Sequence, residues 1–196
     1  MFYPGQREPL SHEVDKLLGG VPISGPDKPT QLAKAFIVPH AGYVYSGPIA
    51  ASAYAHLRAE ASNGGPPITR IVLVGPAHRV YVPGLAAAGA QKFETPLGSV
   101  DIDADWQRRA ANVEESPQAH AREHSLEVQL PFLQRILPQA RLVPLLVSDA
   151  PAEVVGAALD QLWGGPETRI LISSDLSHYL PYDTARDVDG DTAQRI

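Results

Sequence analysis

Three short apolar runs in this chain, each typical of a buried strand, end directly in residues that can do chemistry. The runs are Ala35–Val38, Ile71–Val74 and Ile170–Ser173. The residues that follow them are His40, His78, Asp175 and His178. Parallel strands of one sheet finish at the same edge, so such residues converge although they lie far apart in the chain. The pattern predicts a parallel sheet with a polar site at its edge.

The segments between these runs are typical of helices. Helices are predicted at Ser11–Leu18, Ile49–Ala61 and Ala152–Trp163, and a further strand at Arg141–Val147. The helix at Ile49 is expected to begin beside Pro48, because the first helical turn tolerates proline. This alternation predicts one α/β domain over residues 1–196, with a largely parallel central sheet covered by helices on both faces.

Three further segments are less regular. The stretch from Tyr81 to Asp103 alternates short β-prone pieces with turns, which predicts antiparallel strands that lengthen one side of the sheet. Ala104–Asn112 is predicted to be helical. His124–Leu137 has leucines at helical spacing, and Pro131 is expected to kink or split that helix.

Composition argues against several classes of partner. A net charge of -6 with no basic cluster argues against nucleic acid and against an anionic membrane surface. The chain has no cysteine, which excludes disulfides and thiolate metal sites within it. Neither a basic and apolar leader nor a run of about 20 apolar residues is visible. We therefore expect a soluble, cytoplasmic protein.

His40 and His78 are the strongest candidates for metal ligands. Each lies just past a strand, on a loop whose glycines, Gly42 and Gly75, let backbone and ligand approach closely. Two neutral imidazoles with a carboxylate and open positions suit non-haem Fe(II), and related sets hold zinc or copper. The alternative is that each histidine merely caps a loop carbonyl.

Asp175 and His178 form the second candidate group. Three residues apart after a strand, they would share one face if they began a helix, with the carboxylate near its N-terminus. Such a pair suits a base and its orienting partner, or two further metal ligands. Alternatively, Asp175 only caps the next helix and His178 is a surface residue.

The third group lies at Glu123, His124 and Glu127. His124 and Glu127 have the spacing of one helical face, and a carboxylate that fixes a histidine tautomer commonly supports a metal site or a catalytic base. Glu123 is alternatively only part of a helix start. Tyr43 and Tyr45 flank the first histidine loop, where they would line a pocket or simply pack.

Several long motifs, in one order, closely resemble the MEMO family, which includes the bacterial AmmeMemoRadiSam system protein B. The resemblance runs from the first residues to about Tyr182. The motifs are Phe2–Gly5, Pro39–Gly47, Gly75–His78, Glu123–Phe132 and Ser173–Tyr179.

The resemblance implies the fold of class III extradiol ring-cleaving dioxygenases, with a non-haem iron site at one edge of the sheet. It further implies that His40 and His78 correspond to metal ligands, that His178 falls at the acid/base histidine, and that Asp175 lies beside it. Family members are also known as factors that engage phosphotyrosine-containing peptides. Kinship of fold does not by itself confer ring cleavage.

One departure from the family concerns the third metal ligand. In the family this ligand resembles a cysteine well beyond the Asp175–Tyr179 motif, whereas this chain has none. We expect either a member that lacks the C-terminal portion, or coordination completed by Asp175, His178 or Glu127. A missing portion would leave part of the sheet uncovered, which favours a homo-oligomer or a partner.

Two main functions follow. The first is a dioxygenase-like oxidoreductase in which Fe(II), or else zinc or copper, is held by His40 and His78 and acts on a small aromatic substrate. The second is a non-catalytic module that binds a peptide or protein in the same pocket, without any need for metal. Zinc-assisted hydrolysis is a third possibility.

Overall fold

The computed structural model describes residues 2–23, 33–62 and 64–196. The strands are β1 Ala35–Val38, β2 Arg70–Pro76, β3 Leu85–Ala87, β4 Lys92–Thr95, β5 Gly98–Asp101, β6 Val113–Glu115, β7 Arg141–Val147 and β8 Thr168–Ser173. The helices are α1 Arg7–Gly19, α2 Tyr43–Ala61, α3 Ala104–Gln107, α4 Pro117–His120, α5 Leu130–Ile136, α6 Ala152–Gln161 and α7 Tyr182–Ala193.

The central sheet has six strands in the order β1-β8-β2-β7-β3-β6. The first four are mutually parallel, as predicted, so their C-terminal ends share one edge. β3 runs antiparallel to β7 and extends the sheet on that side, and β6 pairs parallel with β3. β4 and β5 form a separate antiparallel hairpin instead of lengthening the sheet.

The two faces of the sheet carry two hydrophobic cores, because alternate residues of a strand point to opposite sides. Along β2, Ile71 and Leu73 pack in the core that contains α1, α2 and α5. Val72 and Val74 pack in the other core, beneath α6. The prediction of an α/β domain with helices on both faces is confirmed.

Four helices differ from the prediction at their ends: α1 begins at Arg7 and not at Ser11, α6 ends at Gln161 and not at Trp163, and α2 and α3 differ more. α2 begins at Tyr43, so Pro48 lies inside it and not at its start. The early start is possible because the Phe2 carbonyl accepts a hydrogen bond of 2.8 Å from the Tyr43 N–H, which a helix start otherwise leaves unpaired. α3 ends at Gln107, well before Asn112, whose positive φ of 60° is incompatible with a continuing helix.

The helix predicted for His124–Leu137, which Pro131 was expected to kink or split, is shorter than predicted and begins only after His124. Glu127–Gln129 forms a 3₁₀ turn, and α5 begins only at Leu130, with Pro131 in its first turn. Proline fits there because its missing N–H would have no helical partner. His124 therefore lies in a loop, which frees its side chain from helical geometry.

α7 was not expected from the sequence, and none of its residues is buried. Over residues 2–23, 33–62 and 64–196, no helix has both the length and the apolar character needed to cross a bilayer.

Gly75 permits a close approach between β2 and the loop that carries His124. A Cβ built there would lie 2.8 Å from Leu126 Cδ2 and 3.0 Å from Ser125 Oγ. Neighbouring Pro76 accepts a hydrogen bond of 2.8 Å from Ser125 Oγ. The absence of a side chain at this position thus lets two site-bearing segments touch.

We predict that Gly75→Ala destabilises the protein by about 1–3 kcal/mol, because the added methyl group must displace Leu126 and Ser125. The matched control is Gly156→Ala in α6, where no atom lies within 4 Å of the added Cβ. That change should be neutral or stabilise by up to about 1 kcal/mol, since alanine favours a helix. Urea unfolding measures both. Equal stability of the two variants would contradict the close approach.

Candidate metal centre

Three imidazoles meet at the C-terminal edge of the sheet. His40, His78 and His124 each offer one ring nitrogen, and these nitrogens lie within 4.8 Å of one another. The ring centroids are 5.2 Å apart for His40 and His78, 5.7 Å for His40 and His124, and 4.8 Å for His78 and His124. Such a set can hold one transition-metal ion.

The sheet topology gathers two of these rings. His40 follows β1 and His78 follows β2, while Asp175 follows β8, which lies between them in the sheet. The Asp175 carboxylate ties two strand ends together, because its Oδ1 accepts a hydrogen bond of 2.7 Å from the His40 N–H. His124 arrives from the opposite side, on the loop that Gly75 admits.

A buried hydroxyl orients His40. Ser173 Oγ donates its proton to the Ser125 carbonyl at 2.5 Å and accepts from Gln129 Nε2 at 3.0 Å. Its contact of 3.1 Å with His40 Nδ1 must therefore be accepted from the ring. We assign the hydrogen to Nδ1, which leaves the Nε2 lone pair of His40 free to bind a cation.

This orienting network continues into the core. Gln129 Nε2 also donates to the Pro39 carbonyl at 2.9 Å, and its Oε1 accepts from the Tyr54 hydroxyl at 2.7 Å. Tyr54 is fully buried, and burial raises the pKa of its hydroxyl. The position of His40 is thus fixed by α2, α5's leading turn and β8 together.

Glu123 positions the other two histidines. Its carboxylate, only 1% exposed, accepts from the His78 N–H at 2.5 Å and from His78 Nδ1 at 2.9 Å. It also accepts from the N–H groups of His124 at 2.8 Å and Ser125 at 3.0 Å. The hydrogen of His78 therefore lies on Nδ1, and its Nε2 lone pair is free.

The ionisation states suit a metal. Burial lowers the pKa of His40, although Asp175 opposes this, and burial likewise lowers that of His124 against the influence of Glu123. Burial alone would raise the pKa of Glu123, but hydrogen bonds from His78 and from the N–H of Ser125 outweigh it and bring the pKa to about 2. Neutral imidazoles beside ionised carboxylates are the forms that metals require.

His124 has an unsatisfied ring nitrogen. Its Nδ1 is buried without a hydrogen-bond partner, although Glu123 Oε1 lies 3.2 Å away. The Phe2 ring stacks on it with centroids 4.3 Å apart and an interplanar angle of 11°. The N-terminal segment therefore forms one wall of the site.

Asp175 and His178 do not begin a helix, contrary to the prediction. Residues 174–181 form neither helix nor strand, Tyr179 has a positive φ of 59°, and α7 begins only at Tyr182. The pair nevertheless meets. Asp175 Oδ2 lies 3.7 Å from His40 Nε2 and 3.6 Å from His178 Nε2. Asp175 therefore stands between the buried imidazole and the half-exposed one.

The predicted helical face shared by His124 and Glu127 is wrong, because His124 precedes the helix. Glu127 Oε1 instead accepts a hydrogen bond of 2.6 Å from the Tyr3 hydroxyl. Tyr43 is buried, its hydroxyl donating to the Val128 carbonyl at 2.7 Å, whereas Tyr45 is largely exposed. A pocket role for these two tyrosines stays a prediction.

The residues present fit a divalent transition metal. The three ring nitrogens come with two carboxylates, Glu123 and Asp175, whose charge balances that of a divalent cation. The free Nε2 of His40 lies 3.7 Å from Asp175 Oδ2. Both atoms are acceptors, and a cation near both would stabilise this arrangement. The buried Nδ1 of His124, which has no hydrogen-bond partner, also favours a cation at this site. Imidazole donors suit zinc, copper, iron and nickel alike.

Sequence reasoning placed His124 behind the ligands, and Asp175, His178 or Glu127 among them. The structure instead places His124 beside His40 and His78, where it is a third candidate ligand. The available signal was the polar pair Glu123–His124 ahead of an apolar run, which the helical interpretation assigned to capping. Phe2, Ser173 and Gln129 lie within the motifs that resemble the family, but no spacing predicted their roles, because each role depends on contacts far along the chain.

We predict that Ser173→Ala destabilises the protein by about 1–3 kcal/mol, because it leaves His40 Nδ1 and one of the two N–H groups of Gln129 Nε2 without an acceptor. Chemical denaturation measures the loss. Ser99→Ala, at an exposed position of β5, is the control and should lie within about 0.5 kcal/mol of the parent. Equal effects of the two substitutions would show that Ser173 does not hold the network.

The chain is similar to proteins of one known family. The family model described as "Memo-like protein" matches residues 1–196. Proteins named "MEMO1 family protein" are similar over most of the chain. The one from Caldivirga maquilingensis is 33% identical, covering 100% of this chain and 72% of its own length.

Two further relatives carry the same name. The Metallosphaera sedula protein is 35% identical over 84% of this chain and 60% of its own length. The Aquifex aeolicus protein is 36% identical over 96% of this chain and 68% of its own length. The chain thus spans 60% to 72% of the length of these three relatives. With a match over all its residues, the chain belongs to the Memo-like protein family.

Proposed function

We propose that this protein binds one Fe(II) ion through His40, His78 and His124 and acts as a dioxygenase-like oxidoreductase on a small aromatic substrate. The observation that carries the proposal is the approach of three ring nitrogens to within 4.8 Å of one another. Three protein ligands leave coordination positions open for substrate, as catalytic centres require.

The choice of iron rests on the donor set and on the family. The proposed donors are three ring nitrogens, and this chain has no thiolate. The resemblance to extradiol dioxygenases favours iron over zinc or copper, which the same imidazoles accept. When bound, Fe(II) supplies a redox-active Lewis acid for dioxygen chemistry.

His178 is the proposed acid/base group. Its Nδ1 lies 2.9 Å from the Leu176 carbonyl, which only accepts, so Nδ1 carries the hydrogen and Nε2 is free to take a proton. The side chain is 52% exposed, and Nε2 lies 3.6 Å from Asp175 Oδ2. Asp175 would orient the ring and stabilise it once a phenolic proton has moved to Nε2.

We predict stoichiometric binding of Fe(II) in an anaerobic titration of protein purified without chelator or nickel resin. His40→Ala, His78→Ala and His124→Ala should each abolish it. Glu123→Gln should weaken it by about 10–100-fold, because that carboxylate orients two of the three ligands. Metal analysis of each purified variant provides an independent measurement.

The control for metal binding is His12→Ala, which removes an exposed imidazole from α1 and should bind one ion as the parent does. Retention of one tightly bound ion by the His40, His78 and His124 triple variant would refute the site. Circular dichroism of each variant separates loss of ligand from loss of fold.

We predict that the iron-loaded protein consumes oxygen with catechols, and that His178→Ala lowers this rate by about 10²–10⁴-fold without changing iron content. Ligand and acid/base roles are thereby separated, because ligand variants lose metal and rate together. Oxygen uptake at the background rate by the fully loaded protein would end the oxidoreductase proposal.

The alternative is a module that binds a peptide or protein at the same place. It is supported by exposed apolar side chains that flank the site residues in sequence: Val44 and Tyr45 after His40, and Leu176, Tyr179 and Leu180 after Asp175. Fluorescence polarisation with a phosphotyrosine peptide tests it on apo and loaded protein. Saturable binding that His40→Ala weakens, together with absent oxygen uptake, favours this function over catalysis.

A further inference from the structure

A cavity of about 310 Å³ lies beside the metal centre, between the β4–β5 hairpin and residues 117–130. Glu123, whose carboxylate orients His78 and His124, also lines it. The remaining wall is mostly apolar and includes Ala88, Leu126 and Leu130. Its size falls at the lower end of the range of small-molecule sites.

The charged groups of the cavity all have one sign. Glu94 and Glu127 line it together with Glu123, and no lysine or arginine is among its described lining residues. The nearby Lys92 instead pairs with Asp101 across the hairpin, at 3.2 Å. Glu94 and Glu127 are exposed, so their charges remain available to a ligand, whereas Glu123 is saturated by its hydrogen bonds.

Two rings add an aromatic wall. Phe93 and His120 both line the cavity, with ring centroids 5.9 Å apart. His120 Nε2 donates to the Ala86 carbonyl at 3.0 Å, and burial lowers the pKa of this imidazole, so it adds no opposing positive charge. The negative face of an aromatic ring attracts cations.

We propose that this cavity binds an organic ammonium ion with an apolar body. The body packs against Ala88, Leu126 and Leu130, and the ammonium group faces Phe93 and the carboxylates of Glu94 and Glu127. Burying a bare metal ion against apolar walls is unfavourable, and the carboxylates repel anions. An organic cation can pack its apolar body against the apolar wall and place its charge near the carboxylates. The binding is independent of the proposed iron chemistry.

The test uses benzyltrimethylammonium, which has no lone pair and so cannot ligate a metal at the neighbouring site. We expect saturable NMR shifts at the backbone amides of Ala88, Ala90 and Ala121 in the full chain. The affinity should fall as salt is added, and 2-phenylethanol, a neutral aromatic ligand, should bind at least about fivefold more weakly. Equal affinity for the neutral alcohol would overturn the proposal.

Variants locate the site. Glu94→Gln and Glu127→Gln should each weaken binding about three- to fivefold, whereas Glu153→Gln, in the first turn of α6, should not change it. Tyr3→Phe controls for the hydrogen bond that Glu127→Gln also disturbs. Ala121→Phe, at an exposed wall position, should abolish binding by filling the cavity.

Binding that survives Ala121→Phe with unchanged affinity would place the cation elsewhere on this acidic protein and refute the assignment. Nα-acetyl-lysine amide then distinguishes the source of the ligand. Tighter binding of the lysine derivative than of benzyltrimethylammonium indicates a lysine side chain of a peptide, and the reverse order indicates a free small molecule. Failure of both to bind would contradict the proposal.

Discussion

The buried carboxylate of Glu123 is the group on which the candidate metal site most depends. It accepts four hydrogen bonds, from the His78 ring and from the backbone of His78, His124 and Ser125. A buried charge is tolerated only when it is satisfied in this way. The same bonds fix the loop after β2 against the loop before α5. The contacts that stabilise the buried charge therefore also bring His78 and His124 together.

A second buried network does for His40 what Glu123 does for the ring of His78. It runs from Tyr54 through Gln129 and Ser173 to the imidazole, and the direction of each hydrogen bond in it is fixed. The two networks place a hydrogen on Nδ1 of His40 and of His78 and leave the Nε2 of each ring without a hydrogen. The geometry is therefore preorganised for a cation, which lowers the cost of ligand ordering when metal binds.

The proposed iron site and the proposed ammonium cavity share one wall, and Glu123 belongs to both. On one side its carboxylate accepts hydrogen bonds from His78, His124 and Ser125. On the other side, Glu94 and Glu127 remain exposed and supply charge to the cavity. Two sites of different chemistry can thus lie side by side. The hydrogen bonds of Glu123 leave its carboxylate no capacity for a further ligand, whereas the exposed carboxylates of Glu94 and Glu127 can still bind one.

The sequence by itself determined the parallel strands, the order of strands and helices along the chain, and the convergence of His40, His78 and Asp175. These features could be predicted because apolar periodicity and the residues at strand ends are local properties. Strands β1 and β7 have the predicted bounds. It misplaced the start of α2, the end of α3 and the state of the residues after Asp175. Only the tertiary structure decided that His124 lies with His40 and His78 as a candidate ligand. The position of His124 depends on Gly75, which lets its loop approach β2, on the buried Glu123 and on Phe2, which stacks on the imidazole. Such contacts join remote segments, so they leave no periodic pattern in the sequence.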